Sequence, residues 1–218
     1  MAQSVNSLSL QAIWEFRVAE AVPLDRSISY EDLTAKVVEL NGGLHIPVLN
    51  LRRLIRHAMT NRIFWEPTKG RVAHNRTSLL LLENVPLNNW VGFMTRDLWL
   101  PIANVTKAMR KWPGSEESTE TSVNLAYDQD LPWFDFIQKD PVFAKRYNLA
   151  MQAHGGAESF GLETVVNGYA WGDLPEGSTV VDVGLQILHT PFCKGYTDSC
   201  QDGRKPRIYL HRHRREVS

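Results

Sequence analysis

The chain has 218 residues, with 24 Lys+Arg against 24 Asp+Glu, so net charge selects neither an acidic nor a basic partner. Its 43% hydrophobic content is that of a globular chain rather than a disordered one, and no apolar run is long enough to span a membrane. Two cysteines, Cys193 and Cys200, are too few for a disulfide framework, and the N-terminus lacks the basic-then-apolar layout of a signal peptide, so a cytoplasmic, reducing location is expected.

Ser7 to Glu20 reads as a helix, with Leu10, Ile13, Trp14 and Val18 forming an apolar stripe that Phe16 broadens. Val22-Pro23-Leu24 ends it. Ser29-Tyr30-Glu31-Asp32 then resembles a capping box, in which the acidic side chain three residues after Ser closes the first turn. The helix it starts carries Leu33, Val37 and Leu40 and stops at Asn41-Gly42-Gly43. A third helix is expected from about Pro47, because Leu51, Leu54, Ile55 and Ala58 recur at i, i+3, i+4 and i+7. Two short strands follow, Ile63-Phe64-Trp65 and Arg71-Val72-Ala73, joined through Lys69-Gly70. Three helices and a hairpin make the winged-helix pattern.

That pattern raises a nucleic-acid reading. Arg52, Arg53, Arg56 and His57 fall on the third helix, and Lys69 and Arg71 on the wing, where cations could neutralise phosphates. The competing reading is that they solvate the outer face of a packing helix. Zero net charge and the long continuation of the chain favour the second. Asn75-Arg76-Thr77 and Asn104-Val105-Thr106 match the glycosylation acceptor pattern, and without a secretion signal they read as chance matches.

Ser78 to Trp112 is rich in large apolar side chains, with Leu79 to Leu82 and then Trp90, Phe93 and Trp99. Aromatics at such spacings fill cores more often than they bind ligands. Pro113 to Asn124 is polar and reads as an exposed loop. Asp130-Leu131-Pro132-Trp133-Phe134 leads into a short helix. Asp140-Pro141 is a strong start signal for the next, since Asp accepts backbone bonds and Pro supplies the first helical residue. That helix runs through Phe143, Tyr147 and Met151 and ends before Gly155-Gly156.

Pro175-Glu176-Gly177-Ser178-Thr179-Val180-Val181-Asp182-Val183-Gly184 is the most informative stretch. A β-branched run bounded by glycines reads as a buried parallel strand. An acidic residue near its end and a glycine after it match the first strand of a nucleotide-type α/β domain. With Tyr169-Ala170-Trp171 before it, Leu174 to Gly184 resembles the opening of the S-adenosylmethionine domain of plant- and fungal-type O-methyltransferases. The segment from about Ser7 to Gly184 is similar to the part of that family leading into this strand.

The resemblance implies a mainly α fold: a winged-helix and helical region followed by a truncated start of an α/β domain that binds S-adenosylmethionine. It implies a winged-helix region of dimerisation type over 1–78, a helical substrate-side segment over 79–173 and the first strand over 174–188. Residues 189–218 are expected to be a basic, disordered tail, of the kind a frameshift or retained intron leaves. By the resemblance, Asp182 and Gly184 are the cofactor-binding candidates, and Met151 and His154 line the substrate pocket, their alternatives being core packing and a solvated helix end.

The resemblance also implies a small-molecule, aromatic or polyketide O-methyltransferase that is not active alone. Leu185 stands where the family has a second glycine, and a Cβ there obstructs the turn or the ligand. No acidic residue ending a second strand follows to hold the ribose hydroxyls. The family's catalytic histidine lies far downstream. Ile187-Leu188-His189 echoes its local sequence but continues as Thr190-Pro191, so no catalytic residue is assigned. Cys193, Cys200, His211 and His213 lack paired CxxC spacing, so no metal site is assigned either. The expected partners are an intact relative or a second copy, bound weakly, and a small aromatic substrate. A non-catalytic role as partner of an intact methyltransferase is the alternative, and nucleic-acid binding a remoter one.

Overall fold

Helical periodicity dominates the sequence up to Gly155, and the fold follows it. The computed structural model describes residues 2–155, 168–170, 173–175, 179–183 and 207–211. The chain divides into two compact units, Met1–Ala150 and Met151–Ser218.

The first unit is mainly α, as expected. Helix α1 (Ala2–Glu15) and the single turn α2 (Val18–Ala21) stand where one helix was expected. Arg17 separates them in the left-handed region, at φ 54°. Its guanidinium bonds Glu20 and the Leu40 carbonyl, which holds this costly backbone conformation in place. The break lets Val18, Ala19 and Ala21 all face inward.

A two-residue strand, β1 (Ile28–Ser29), precedes α3 (Tyr30–Leu40), and Ser29 caps that helix by accepting from the Asp32 amide at 3.0 Å. Helix α4 (Val48–Thr60) buries Leu51, Ile55 and Ala58, the stripe read from its spacing. The hairpin is β2 (Trp65–Thr68) and β3 (Arg71–Ala73), and β1 adds to it antiparallel, in the order β1-β3-β2. The first hairpin strand therefore begins at Trp65 rather than Ile63. Phe64 is instead a buried residue at φ 64°. Ile13, Tyr30, Leu33, Ile55, Phe64 and Val72 meet in one core, each worth about 1.5–3 kcal/mol when fully buried.

Asn75 closes this region. Its side-chain oxygen accepts from the Ser78 amide and so caps α5 (Arg76–Glu83). Its amide donates to the carbonyls of Arg62 and Phe64, at 2.9 and 3.0 Å. The nitrogen of the first glycosylation-like match is thus already committed inside the fold.

Helices α6 (Val85–Gly92) and α7 (Trp99–Lys111) are joined by a π-helical turn, Phe93–Asp97. Asn104 lies inside α7 and donates to the Leu100 carbonyl. Helix α8 (Ser122–Tyr127) starts within the stretch read as loop, because Thr121 and Asn124 form a capping box there. Helices α9 (Trp133–Gln138) and α10 (Pro141–Gly155) follow, and α10 begins where Asp140 accepts from Val142 and Phe143.

In the second unit, β4 (Thr179–Val183) is the expected strand. It pairs in parallel with β5 (Arg207–His211), with Asp182 opposite Leu210 and Val183 opposite His211. The tail expected to lack order over 189–218 thus contains one strand among its described residues. Ile208-Tyr209-Leu210, the one stretch there with apolar period, supplies it, and the ladder satisfies backbone groups that a lone β4 would leave unpaired.

Candidate functional site

Indole, phenyl and phenol rings from four elements converge in the first unit. Phe93 on the π-helical turn lies edge-on to Tyr147 at 5.4 Å between centroids. Trp133 on α9 meets Tyr147 at 6.0 Å and Phe143 at 5.8 Å, both near-perpendicular. Phe136 continues the cluster to Tyr127 on α8 at 5.2 Å. Such edge-to-face pairs add about 0.5–1.5 kcal/mol each beyond burial, so this is first a packing core. It also fixes α9 and α10 against the π-helical turn.

A buried ion pair sits inside that core. Asp97 is 5% exposed. Arg146 on α10 grips it with two nitrogens, at 2.6 and 3.0 Å. The Tyr127 hydroxyl donates to the Asp97 carbonyl at 2.6 Å, and burial, reinforced by the nearby Asp97 charge, pushes the Tyr127 pKa up. The π-helical turn leaves backbone geometry that an ordinary helix would not offer, and such turns recur at functional positions.

Trp14 packs on the same constellation. Its indole NH donates to Asn88 at 3.0 Å. The guanidiniums of Arg96 and Arg146 lie 5.9 and 5.7 Å from its ring centroid. Gly92 lies under the ring, where a Cβ would overlap the indole carbons. Neither Gly92 nor the Asp97–Arg146 pair was read from the sequence. The pair spans 49 positions, and a π-helical turn carries no local pattern. The one available signal was Gly92 itself, a glycine inside an otherwise apolar, aromatic helical run.

The basic residues that raised a nucleic-acid reading are largely engaged within the fold. Arg56 is bidentate to Glu66, at 3.1 and 2.8 Å, and holds that carboxylate below its usual pKa; the Gly70 amide also donates to Glu66. Arg52 and Arg56 lie over the ring of Tyr30. His57 bonds Ser9, and Arg71 bonds Ser27.

Met151 and His154, the substrate candidates, lie near the C-terminal end of α10; Met151 is half-buried and His154 exposed. Asp182 lies in β4, one residue before its end, and Gly184 falls outside the described residues. His189, Cys193, Cys200 and His213 also fall outside them, while His211 ends β5. Among the described residues no cluster of three or more His, Cys, Asp or Glu is placed to hold a metal ion, and no helix is long and apolar enough to cross a membrane.

The cofactor that the resemblance implies can be tested against the strand beside Asp182. It calls for a carboxylate at the end of the neighbouring strand, to accept the two ribose hydroxyls. That neighbour is Arg207-Ile208-Tyr209-Leu210-His211, which contains no carboxylate and ends on an imidazole opposite Val183. A neutral imidazole has one acceptor nitrogen where a carboxylate has two oxygens. In this one respect, the ribose carboxylate, the described residues do not fit S-adenosylmethionine.

The architecture is that of the small-molecule O-methyltransferases. OxaC, solved with sinefungin and meleagrin, superposes with a TM-score of 0.68 at 17% identity, covering 96% of this chain and 52% of OxaC. The mitomycin 7-O-methyltransferase MmcR gives 0.57 at 18% identity, covering 94% of this chain and 53% of MmcR. In sequence, the O-methyltransferase aurJ of Gibberella zeae is 34% identical over 84% of this chain and 40% of its own length. The chlorophenol O-methyltransferase of Trichoderma longibrachiatum is 33% identical over 83% of this chain and 38% of its own. No protein-family model matches. The chain belongs to the fungal O-methyltransferase family, and it spans about 40% of the length of the curated relatives it matches.

Proposed function

We propose that these 218 residues are the helical, substrate-side part of a small-molecule O-methyltransferase of aromatic or polyketide metabolism, and that they transfer no methyl group on their own. The observation that carries this reading is the β4–β5 pair. The strand bearing Asp182 is flanked by Arg207–His211, which offers the methyl donor's ribose no carboxylate. Leu185, in place of a turn glycine, points the same way. On this reading α1 to β3 form a winged helix, Met151 and His154 face an aromatic substrate, and Asp182 and Gly184 belong to an incomplete site for S-adenosylmethionine.

A second reading is favoured by one surface. Trp99, Ile102, Val105 and Met109 lie on one face of α7 at helical spacing and are 40–67% exposed. An apolar stripe of that kind fits pairing with an intact relative or, weakly, with a second copy. The experiment is an assay of methyl transfer from labelled S-adenosylmethionine to a panel of phenols, run with the chain alone and with an intact relative added. No transfer by the chain alone, and an altered rate for the mixture, favours the partner role. Transfer by the chain alone overturns both readings.

A further inference from the structure

A cleft of about 460 Å³ opens between the π-helical turn and the start of α10. Tyr127, Phe136 and Phe143 give it an aromatic wall. Its buried side holds the Asp97–Arg146 pair, whose charges cancel at 2.6 Å. Arg96 and Lys139 stand exposed at the rim with Asp140.

The rim charges are not equivalent. Asp140 is already engaged, since one carboxylate oxygen accepts from the Val142 and Phe143 amides at the N-terminus of α10. Arg96 lies 3.7 Å from Glu15, with both side chains largely in solvent, a weak pairing. The Lys139 side chain makes no hydrogen bond or ion pair among the described residues. Of the three cations lining the cleft, Arg146 is spent on Asp97 and Arg96 is loosely paired with Glu15, which leaves Lys139 as the positive charge least compensated among the described residues.

We infer that this cleft binds a planar aromatic monoanion, its rings stacked on Phe136 and edge-on to Phe143, which stands near-perpendicular to Phe136, and its carboxylate or phenolate held by Lys139 and Arg96. The volume accommodates two or three fused rings. The cleft lies at the N-terminal end of α10, whereas Met151 and His154 lie at the other end. The inference therefore stands apart from the substrate assignment and from the cofactor question.

The test is titration calorimetry of the full 218-residue chain with 2-naphthoate, and with 2-naphthamide as its neutral isostere. The expected result is that naphthoate binds more tightly than the amide, with the difference shrinking as salt is raised. Lys139→Gln should weaken naphthoate about threefold and Lys139→Gln with Arg96→Gln about tenfold, leaving the amide unchanged, as two exposed ion pairs allow. Phe136→Ala should weaken both probes. Both polar substitutions are at exposed positions, so unchanged far-ultraviolet circular dichroism is the check on folding. Absence of naphthoate binding overturns the inference. So does binding that ignores the charge substitutions, or binding that survives Phe136→Ala, which would place the probe on another apolar surface. None of these outcomes bears on methyl transfer.

Discussion

The Asn75 side-chain amide donates to the carbonyl of Phe64 at 3.0 Å, and Phe64 is a buried residue held at φ 64°. A bulky side chain in the left-handed region is costly and persists only when its surroundings fix it. Asn75 supplies that fixation from one side chain, through both carbonyls at 62 and 64, while its oxygen caps α5. Asn75→Ala removes a cap worth about 1 kcal/mol and two hydrogen bonds of about 1 kcal/mol each. The expected loss is about 2–3 kcal/mol in urea unfolding. Asn75→Ser keeps the cap and should lose about half as much. Equal losses for the two variants would mean that the carbonyl bonds contribute nothing.

Gly92 leaves no room for a side chain beneath Trp14. In an open helix Gly→Ala would stabilise by up to about 1 kcal/mol. Here overpacking reverses the sign, and Gly92→Ala should destabilise by about 1–3 kcal/mol. Combining it with Trp14→Leu should give a total smaller than the sum of the two single changes, because the clash disappears with the indole. Thermal melts of the four proteins in the cycle measure this.

Asp97 and Arg146 form a pair whose side chains are only 7% and 12% exposed. Arg146→Met strands a carboxylate in the aromatic core and should cost about 3–5 kcal/mol. Replacing both, as Asp97→Leu with Arg146→Met, should recover much of that loss, since an apolar pair needs no desolvation of charge. A double variant as unstable as Arg146→Met would show that the π-helical turn itself depends on the carboxylate.

His74 gives a pH signature. Burial pushes its pKa below the ordinary histidine value, against smaller opposing contributions from its bonds to the Val22 and Ala19 carbonyls. Its other ring nitrogen faces the Ser78 hydroxyl at 2.9 Å. The unfolded chain therefore takes up this proton first as pH falls. The stabilisation from neutral His74 is fully present above the ordinary value of about 6.5. It is lost as pH drops from there through the folded-state value. Urea midpoints at pH 7.5 and 5.5 should fall more for the native chain than for His74→Gln. Equal falls in the two proteins would assign the pH dependence to other groups.

Much of the first unit was legible because its signals are local. Leu51, Ile55 and Ala58 fell on the buried face that their spacing gave, Ser29 capped α3, and Asp140 opened α10. What escaped depends on partners far away in sequence. The break at Arg17 rests on Leu40, the strand β1 exists only because β3 accepts it, and Asp97 finds Arg146 from another helix. The strand at Thr179–Val183 was readable from its β-branched run, but its neighbour was not. The β-branched run marks Thr179–Val183 as a parallel-type strand, but nothing in it names Arg207–His211 as the partner, which is set by contact.

We propose that these residues carry the helical platform of an O-methyltransferase without a working cofactor site. Titration calorimetry of the purified chain with S-adenosylmethionine tests it most directly. The expected result is no binding in the micromolar range, where a complete site would give about 8 kcal/mol. Micromolar binding would contradict the claim. Weakening of such binding by Asp182→Ala, or tightening by Leu185→Gly, would place the cofactor at β4 despite its neighbouring strand.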